Sequence, residues 1–342
     1  MRSKKVHKAA KALVLLSGGL DSRLACKMLE EQLGRGRMEC VFFALPFGGG
    51  CCNDMFCVLR FAQTQGIRLR IVDCTKGRML RKYMDMVRKP KFQRGTAMNP
   101  CIDCHVFMLK EARRIAKKTG AAIIATGEVL GERPLSQNRP ALGLIEREAG
   151  LEGRLLRPLS ARLLHETVAE KKGWIDRSRL LDMQGRQRKR QIALARKYGI
   201  TFPMPGGGCL LTDKSFSRRL ANFLDGRTGM KEIELARLGR HFLAGRSVIV
   251  AGRRHEENIA LSMLAKRIRP RPAVLETEGF MGPTTLVTNP YPASLRKAAS
   301  ITVRYSDAPK TGKHGVSAAV GRKRQVIMAE AMPDSQISEL RV

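Results

Sequence analysis

Short apolar runs alternate with amphipathic stretches over the first two-thirds of the chain. "KALVLLS" (residues 11–17) has the length and composition of a buried strand and is closed by "GGLDS". In "RLACKMLEEQL", Leu24 and Met28, Ala25 and Leu29, and Leu29 and Leu33 stand four apart, a helical stripe. "ECVFFAL" is a second strand, followed by a Gly/Cys loop and a helix ending at Gly66; "RLRIVD" is a third strand. "HVFMLKEARRIAKKTG" reads as a helix capped by Gly120, "AAIIATG" as a fourth strand and "RLLRPLS" as a fifth. Strands alternating with helices predict an α/β fold with a doubly wound parallel sheet.

Between residues 128 and 190 the periodicity weakens and Arg becomes frequent, which predicts loops and short helices over the carboxyl edge of the sheet. "PMPGGGCLLTD" is a glycine-rich loop, and "SFSRRLANFL" reads as a helix after it. The expected organisation is a basic tail at 1–10, an α/β domain at 11–227 and a smaller α+β domain at 228–342. In the latter "RSVIVAG", "TTLVT", "ITVRYS" and "RQVIMAE" are the strand candidates.

Charge narrows the partners. Lys+Arg 64 against Asp+Glu 30 gives a formal net charge of +34 over 342 residues, a self-repulsion that a polyanionic partner relieves. Aromatic residues make up only 5%, too few for a single-strand stacking platform, so folded RNA held by its phosphates fits better. No apolar run nears the roughly 20 residues that span a bilayer, and no amphipathic anchor stands out, so no membrane partner is expected. The nine cysteines, with no export signal, point to a reducing, cytoplasmic setting where clustered thiols bind metal or do chemistry.

Ser17-Gly18-Gly19-Leu20-Asp21-Ser22 follows the first strand and opens a helix. Glycines there let backbone amides approach a phosphate, Ser17 and Ser22 add hydroxyls, and Asp21 can hold Mg²⁺. The loop lacks the G-K-[ST] of a Walker motif and is not G-x-G-x-x-G. Cys101 and Cys104 in "NPCIDCHVFM" stand three apart at a helix start, and Cys209 sits in the glycine-rich loop. A helix N-terminus favours a thiolate. Gly127 and Glu128 follow the fourth strand, where ligands gather in such folds. Arg133, Arg157 and Gln137 are candidates for phosphate or base contact, Asp213 for orienting Cys209 or capping the next helix, and His105 for a helix-surface position.

"SGGLDS" resembles the signature of the PP-loop ATP pyrophosphatases. "NPCIDCHVFMLKEARRIAKKTGAAIIATGE" and "GGGCCNDMFCVLRFAQTQGIRLRIVD" are similar to segments of tRNA 2-thiouridylases; "TGEVLGERPLSQ" and "LLRPLS" are similar to tRNA 4-thiouridine synthetases. The resemblance covers residues 11–225. It implies ATP-dependent thiolation of a tRNA uridine: ATP adenylates a uracil carbonyl oxygen, pyrophosphate leaves to the phosphate loop, and a sulfur nucleophile displaces AMP. With only ten residues before Lys11, RNA capture is expected to fall to the C-terminal unit or the basic surface. In this frame Ser17, Gly18, Gly19, Asp21, Ser22, Gly127 and Glu128 serve ATP and Mg²⁺. Cys101, Cys104 and Cys209 hold a three-thiolate [4Fe-4S] cluster, or Cys104 and Cys209 form a metal-free persulfide pair. Sulfide or a persulfide carrier is the donor, and "TGEVLG" tilts the product to 4-thiouridine over 2-thiouridine. Zinc would need His105 or Cys57 as a fourth ligand. Cys51, Cys52 and Cys57 are expected to pack or line the pocket, and Cys26 and Cys74 to lie in the core. The rival readings are an amide-forming PP-loop enzyme on a small acid and a non-catalytic RNA-binding metalloprotein. The C-terminal unit is expected to contact RNA, or to stabilise or dimerise the chain into a homodimer.

Overall fold

The computed structural model describes residues 10–48, 55–92, 95–203, 208–224 and 228–342. Cys51 and Cys52, the tail at 1–9 and residues 204–207 of the glycine-rich loop lie outside the described residues. The chain forms two compact units, Met1–Asp213 and Lys214–Val342.

In the first unit, strands β1 (Ala12–Leu15), β2 (Met38–Ala44), β3 (Arg68–Asp73), β4 (Ile123–Thr126) and β5 (Leu155–Leu156) make a parallel sheet in the order β3-β2-β1-β4-β5. Its helices are α1 (Leu20–Leu33), α2 (Met55–Thr64), α3 (Gly77–Arg88), α4 (Cys101–Thr119), α5 (Arg139–Ala149), α6 (Val168–Lys171) and α7 (Lys189–Lys197). Alternate strand residues feed two cores, as a sheet covered on both faces requires. Val14, Phe42 and Ala125 pack with Leu20, Leu24 and Leu29 of α1, whereas Leu13, Val41 and Ile124 pack with Val106 and Leu109 of α4 and Ile145 of α5. α4 ends at Gly120, whose φ of 70° supplies the left-handed C-cap.

The strand order places the site. From β1 the chain steps outward through β2 and β3, then returns to add β4 on the other side of β1. The crevice beyond the carboxyl ends of β1 and β4 is the topological switch point, where folds of this kind take their ligands. Leu15 is in register with Thr126, so the loop after β1 and Gly127 emerge side by side.

The second unit holds β6 (Arg240–Ala244), β7 (Ser247–Ala251), β8 (Ala273–Thr277), β9 (Thr285–Val287), β10 (His314–Val320) and β11 (Lys323–Ala329) in an antiparallel sheet ordered β11-β10-β8-β9-β7-β6. Its helices are α8 (Lys214–Ala221), α9 (Met230–Arg237), α10 (His255–Arg267), α11 (Pro292–Arg304) and α12 (Asp334–Leu340). Leu295, Ala298 and Ile301 of α11 cover one face with Ile337 of α12, and Leu235, Leu261 and Leu264 of α9 and α10 cover the other. α8, expected in the first domain, belongs to this unit: Arg219 Nε donates to the Ala236 carbonyl at 2.8 Å.

One strand expectation fails. "ITVRYS" is not a strand: residues 301–304 form the last turn of α11. Pro292 stands in the first turn, Leu295, Ala298, Ala299, Thr302 and Val303 make one buried face, and Thr302 Oγ1 donates to the Ala298 carbonyl at 2.7 Å. Packing overrides the β-branched preference of that triplet.

Candidate active site

The loop after β1 is folded on itself. Ser17 Oγ donates to Ser22 Oγ at 3.2 Å, Ser22 Oγ lies 2.9 Å from the Gly19 carbonyl, and the Gly19 N–H donates to Ser17 Oγ at 3.4 Å. Gly18 has a φ of +86°, and a Cβ there would come within 2.6 Å of Val58 Cγ2. A Cβ on Gly127 would fall 2.5 Å from the Ser22 backbone nitrogen, so only glycine lets β4 end against the start of α1. Arg23, which the sequence did not single out, is buried under this loop. Its Nε donates to the Gly18 carbonyl at 2.7 Å, Nη1 to the Thr201 carbonyl at 2.7 Å and Nη2 to Cys57 Sγ at 2.9 Å, with Phe61 beneath the guanidinium.

Asp21 opens α1. Burial first, then the negative charge of Glu132, lifts its carboxyl to about 6, against the opposing pull of Arg188 and Arg133. Its Oδ1 is buried without a hydrogen-bond partner. An unpartnered carboxylate oxygen beside a phosphate loop suits a hard divalent cation such as Mg²⁺.

The cysteine helix faces the same crevice. α4 leads down into β4, so its N-terminus, with Cys101 and Cys104, lies at the carboxyl edge of the sheet. The Asn99 N–H donates to the Leu211 carbonyl at 3.0 Å, which docks the turn after Cys209 onto the start of α4, and the Leu210 N–H donates to the Phe47 carbonyl at 3.0 Å. The Asp213 N–H closes that turn on the Leu210 carbonyl. The three sulfurs share one field: negative charge on Cys209 and Cys101 raises Cys104, and Cys101 raises Cys209. Tyr83, also unforeseen, is buried with its Oη 3.2 Å from Cys104 Sγ and its ring edge-on to Phe107 at 5.4 Å. Burial pushes the Cys104 thiol up to about 12, Cys209 to about 11 and Cys101 above its usual value. The thiolate preference expected from the helix N-terminus is thus outweighed by enclosure. Among the described residues no three side chains of ligating type form a single-ion site.

Arg133 connects the two halves. Its positive charge lowers Asp21 at the phosphate loop and also Cys101 and Cys209. Gln137, expected to contact substrate, is buried and instead holds this loop, accepting from the Arg133 N–H at 3.1 Å.

Glu128 caps no helix. It is buried, with Arg157 Nε at 2.9 Å, His105 Nδ1 at 2.8 Å and Thr126 Oγ1 donating at 2.9 Å. The Arg157 guanidinium, with the hydrogen bonds from Arg157 and His105, holds its carboxyl far below the usual range despite burial. Arg157 is fully buried between Glu128 and Glu146, with its Nη2 left without a hydrogen-bond partner; His105, expected on the surface, is half-buried against Glu128. The other cysteines part company: Cys26 and Cys40 sit in the core with sulfurs 3.3 Å apart, Cys74 is buried, and Cys57 lies beside Arg23.

Residues 10–140 match the family model described as the tRNA methyl transferase HUP domain, and residues 239–341 match that of the NFACT protein RNA binding domain. Among solved structures, the U34-tRNA thiolase NcsA from Methanococcus maripaludis with its [4Fe-4S] cluster aligns at 15% identity and a TM-score of 0.33, covering 64% of this chain and 68% of that one. The C-terminal part of the fibronectin/fibrinogen-binding protein from Streptococcus suis aligns at 13% identity and a TM-score of 0.28, covering 45% of this chain and 72% of that one. No curated protein matches the chain.

Proposed function

We propose, from a PP-loop domain of the tRNA-thiolation kind joined to a unit of an RNA-binding kind, that this chain thiolates a tRNA uridine at position 4 of the base. The carbonyl oxygen of uracil attacks the α-phosphorus of ATP, forming a C–O–P bond and releasing pyrophosphate. A sulfur nucleophile then adds to the ring carbon and AMP departs, so that C=S replaces C=O and one proton is released. Amides and hydroxyls of Ser17, Gly18, Gly19 and Ser22 receive the pyrophosphate, and Asp21 would hold a Mg²⁺, which would supply charge neutralisation there. Gly127 lets the end of β4 pack against the start of α1 and so holds the phosphate loop in place. Arg133 offsets the charge that develops between phosphate and sulfur. Glu128, tied to Arg157, positions His105 and through it the first turn of α4.

Cys101 and Cys104 at the start of α4 and Cys209 beside the turn docked there offer three thiols at one edge of the sheet, the number that a [4Fe-4S] cluster with one open iron takes, each thiolate binding its own iron. Cys101, Cys104 and Cys209 would hold it, and it would supply sulfide on the iron without a protein thiolate. A Cys104–Cys209 persulfide pair has no use for Cys101, whereas a cluster uses all three thiols. This favours the cluster over a Cys104–Cys209 persulfide pair.

The observation that carries the reading is the Asn99 N–H donating to the Leu211 carbonyl at 3.0 Å, which holds the Cys209 turn on the helix start that bears Cys101 and Cys104, at the sheet edge where Ser17–Ser22 emerge. Anaerobically purified protein is expected to contain about four irons and, with ATP, sulfide and tRNA, to release pyrophosphate and form 4-thiouridine. Full thiolation by iron-free Cys101→Ala protein would exclude the cluster; 2-thiouridine as product would exclude position 4.

A further inference from the structure

Two basic stretches of the C-terminal unit, "KRIRPR" (266–271) and "GRKR" (321–324), are far apart in sequence and contain no acidic residue. The sheet brings them together. Ala273, the first residue of β8, pairs with Val320, the last of β10, and the β10–β11 turn follows at Gly321. A Cβ on Gly321 would lie 3.5 Å from Arg271 Cδ, so the Arg271 side chain runs along that turn. Arg269 Nη1 donates to the Lys266 and Ile268 carbonyls at 2.8 and 2.7 Å, fixing its guanidinium at the end of α10.

Lys266, Arg269, Arg271, Arg322, Lys323 and Arg324 are all exposed, and none has a carboxylate partner among the described residues. Arg267 alone is paired, with Glu234 at 3.2 Å. At the opposite end of the same strands the charges are mixed: Glu276 and Glu278 stand at the end of β8 and Glu330 follows β11, with Lys310 and Lys313 before β10. Unpaired, closely spaced exposed cations repel one another, and a polyanion with regularly spaced charges relieves this best.

We infer that this end of the C-terminal unit, where the start of β8 meets the β10–β11 turn, binds the phosphate backbone of RNA and orients the tRNA on the enzyme. The inference rests on the reading above that tRNA is the substrate. Backbone contacts of this kind position an RNA without reading its bases, so they suit a unit that holds the body of a tRNA while another site acts on one nucleotide.

The test is binding of an unmodified tRNA transcript to the full chain over a salt series. The triple variant Arg271→Gln/Arg322→Gln/Arg324→Gln is expected to bind at least about tenfold more weakly near 0.1 M salt. The slope of log affinity against log salt should become shallower by about 2–3, at roughly 0.7–0.9 for each lost phosphate contact. The triple Arg→Lys variant at the same positions keeps the wild-type slope, and so does Arg296→Gln/Lys297→Gln on the exposed side of α11. A triple Gln variant with the wild-type slope overturns the inference, as does one that loses only its binding to phosphatidylserine vesicles. If wild type in that case still releases pyrophosphate when tRNA is added, thiolation stands and only the surface assignment falls. Wild type that neither binds tRNA nor releases pyrophosphate on its addition defeats both.

Discussion

Asp21 is a carboxyl pulled two ways, by burial and Glu132 toward the neutral form and by Arg188 and Arg133 toward the charged one. Its folded-state value of about 6 lies above the ordinary 3.8, so without a cation it weakens the fold as pH rises from about 4 through 6. Mg²⁺ competes with the proton, so stabilisation by Mg²⁺ should grow between pH 5 and 7 and level off above; melting temperatures with and without Mg²⁺ across that range measure it. Asp21→Asn should remove the dependence, and a Mg²⁺ effect that is constant with pH would contradict the role. Glu128 carries the opposite shift: its stabilising contribution is complete above the ordinary value of 4.5 and is lost progressively as pH falls from there through its depressed folded-state value. Glu128→Gln leaves Arg157 paired with Glu146 and removes one buried charged hydrogen bond, a loss of about 1.5–3 kcal/mol. The urea midpoint should fall accordingly, whereas a change under about 1 kcal/mol would mean that water enters and screens the cluster.

Among elements, the meeting of β4 with the N-terminus of α1 has the least tolerance. Gly127→Ala places a methyl 2.5 Å from Ser22 backbone, and backbone cannot turn aside as a side chain can. Overpacking of this kind costs about 1–3 kcal/mol, and displacing the phosphate loop by about 1 Å should lower tRNA-dependent pyrophosphate release about 100-fold. Gly143→Ala, inside α5 with open space around it, should instead gain about 0.5–1 kcal/mol and leave turnover intact. The first unit's elements could be read from the chain because a parallel sheet buried on both faces leaves unbroken apolar runs and its phosphate loop is a local motif. α3 escaped because its apolar residues come as the short pairs Met79–Leu80, Tyr83–Met84 and Met86–Val87 split by charged ones, and only Tyr83, Met84 and Val87 are buried. β10, "HGVSAAV", escaped because Gly, Ser and Ala carry little strand preference, and its place is set by pairing with β8 and β11. The site divides in the same way. Ser17–Ser22 and the cysteines announce themselves by spacing, whereas Arg23, Tyr83 and the Glu128–Arg157–His105 cluster exist only once distant segments enclose them.

For the whole molecule, the arithmetic of charge is unforgiving: if every Asp and Glu were paired, 64 − 30 = 34 cations would remain without a carboxylate. Repulsion among them weakens the fold most when it is least screened. The Debye length shrinks from about 30 Å at 0.01 M salt to about 8 Å at 0.15 M, so added salt should stabilise the free protein. A gain of about 1 kcal/mol corresponds to roughly 2–4 °C in melting temperature for a domain of 150–250 residues. The same salt should weaken tRNA binding, because each phosphate contact releases counterions on forming. Stability and affinity should therefore move in opposite directions along one salt series, and tRNA at low salt should raise the melting temperature more than monovalent salt does. Calorimetry with and without tRNA at several salt concentrations reads both quantities on one sample. A melting temperature that falls with salt would mean that exposed attractive pairs such as Arg190–Asp182 and Lys91–Glu148 dominate the free protein, and that polyanion binding needs another cause than relief of its excess charge.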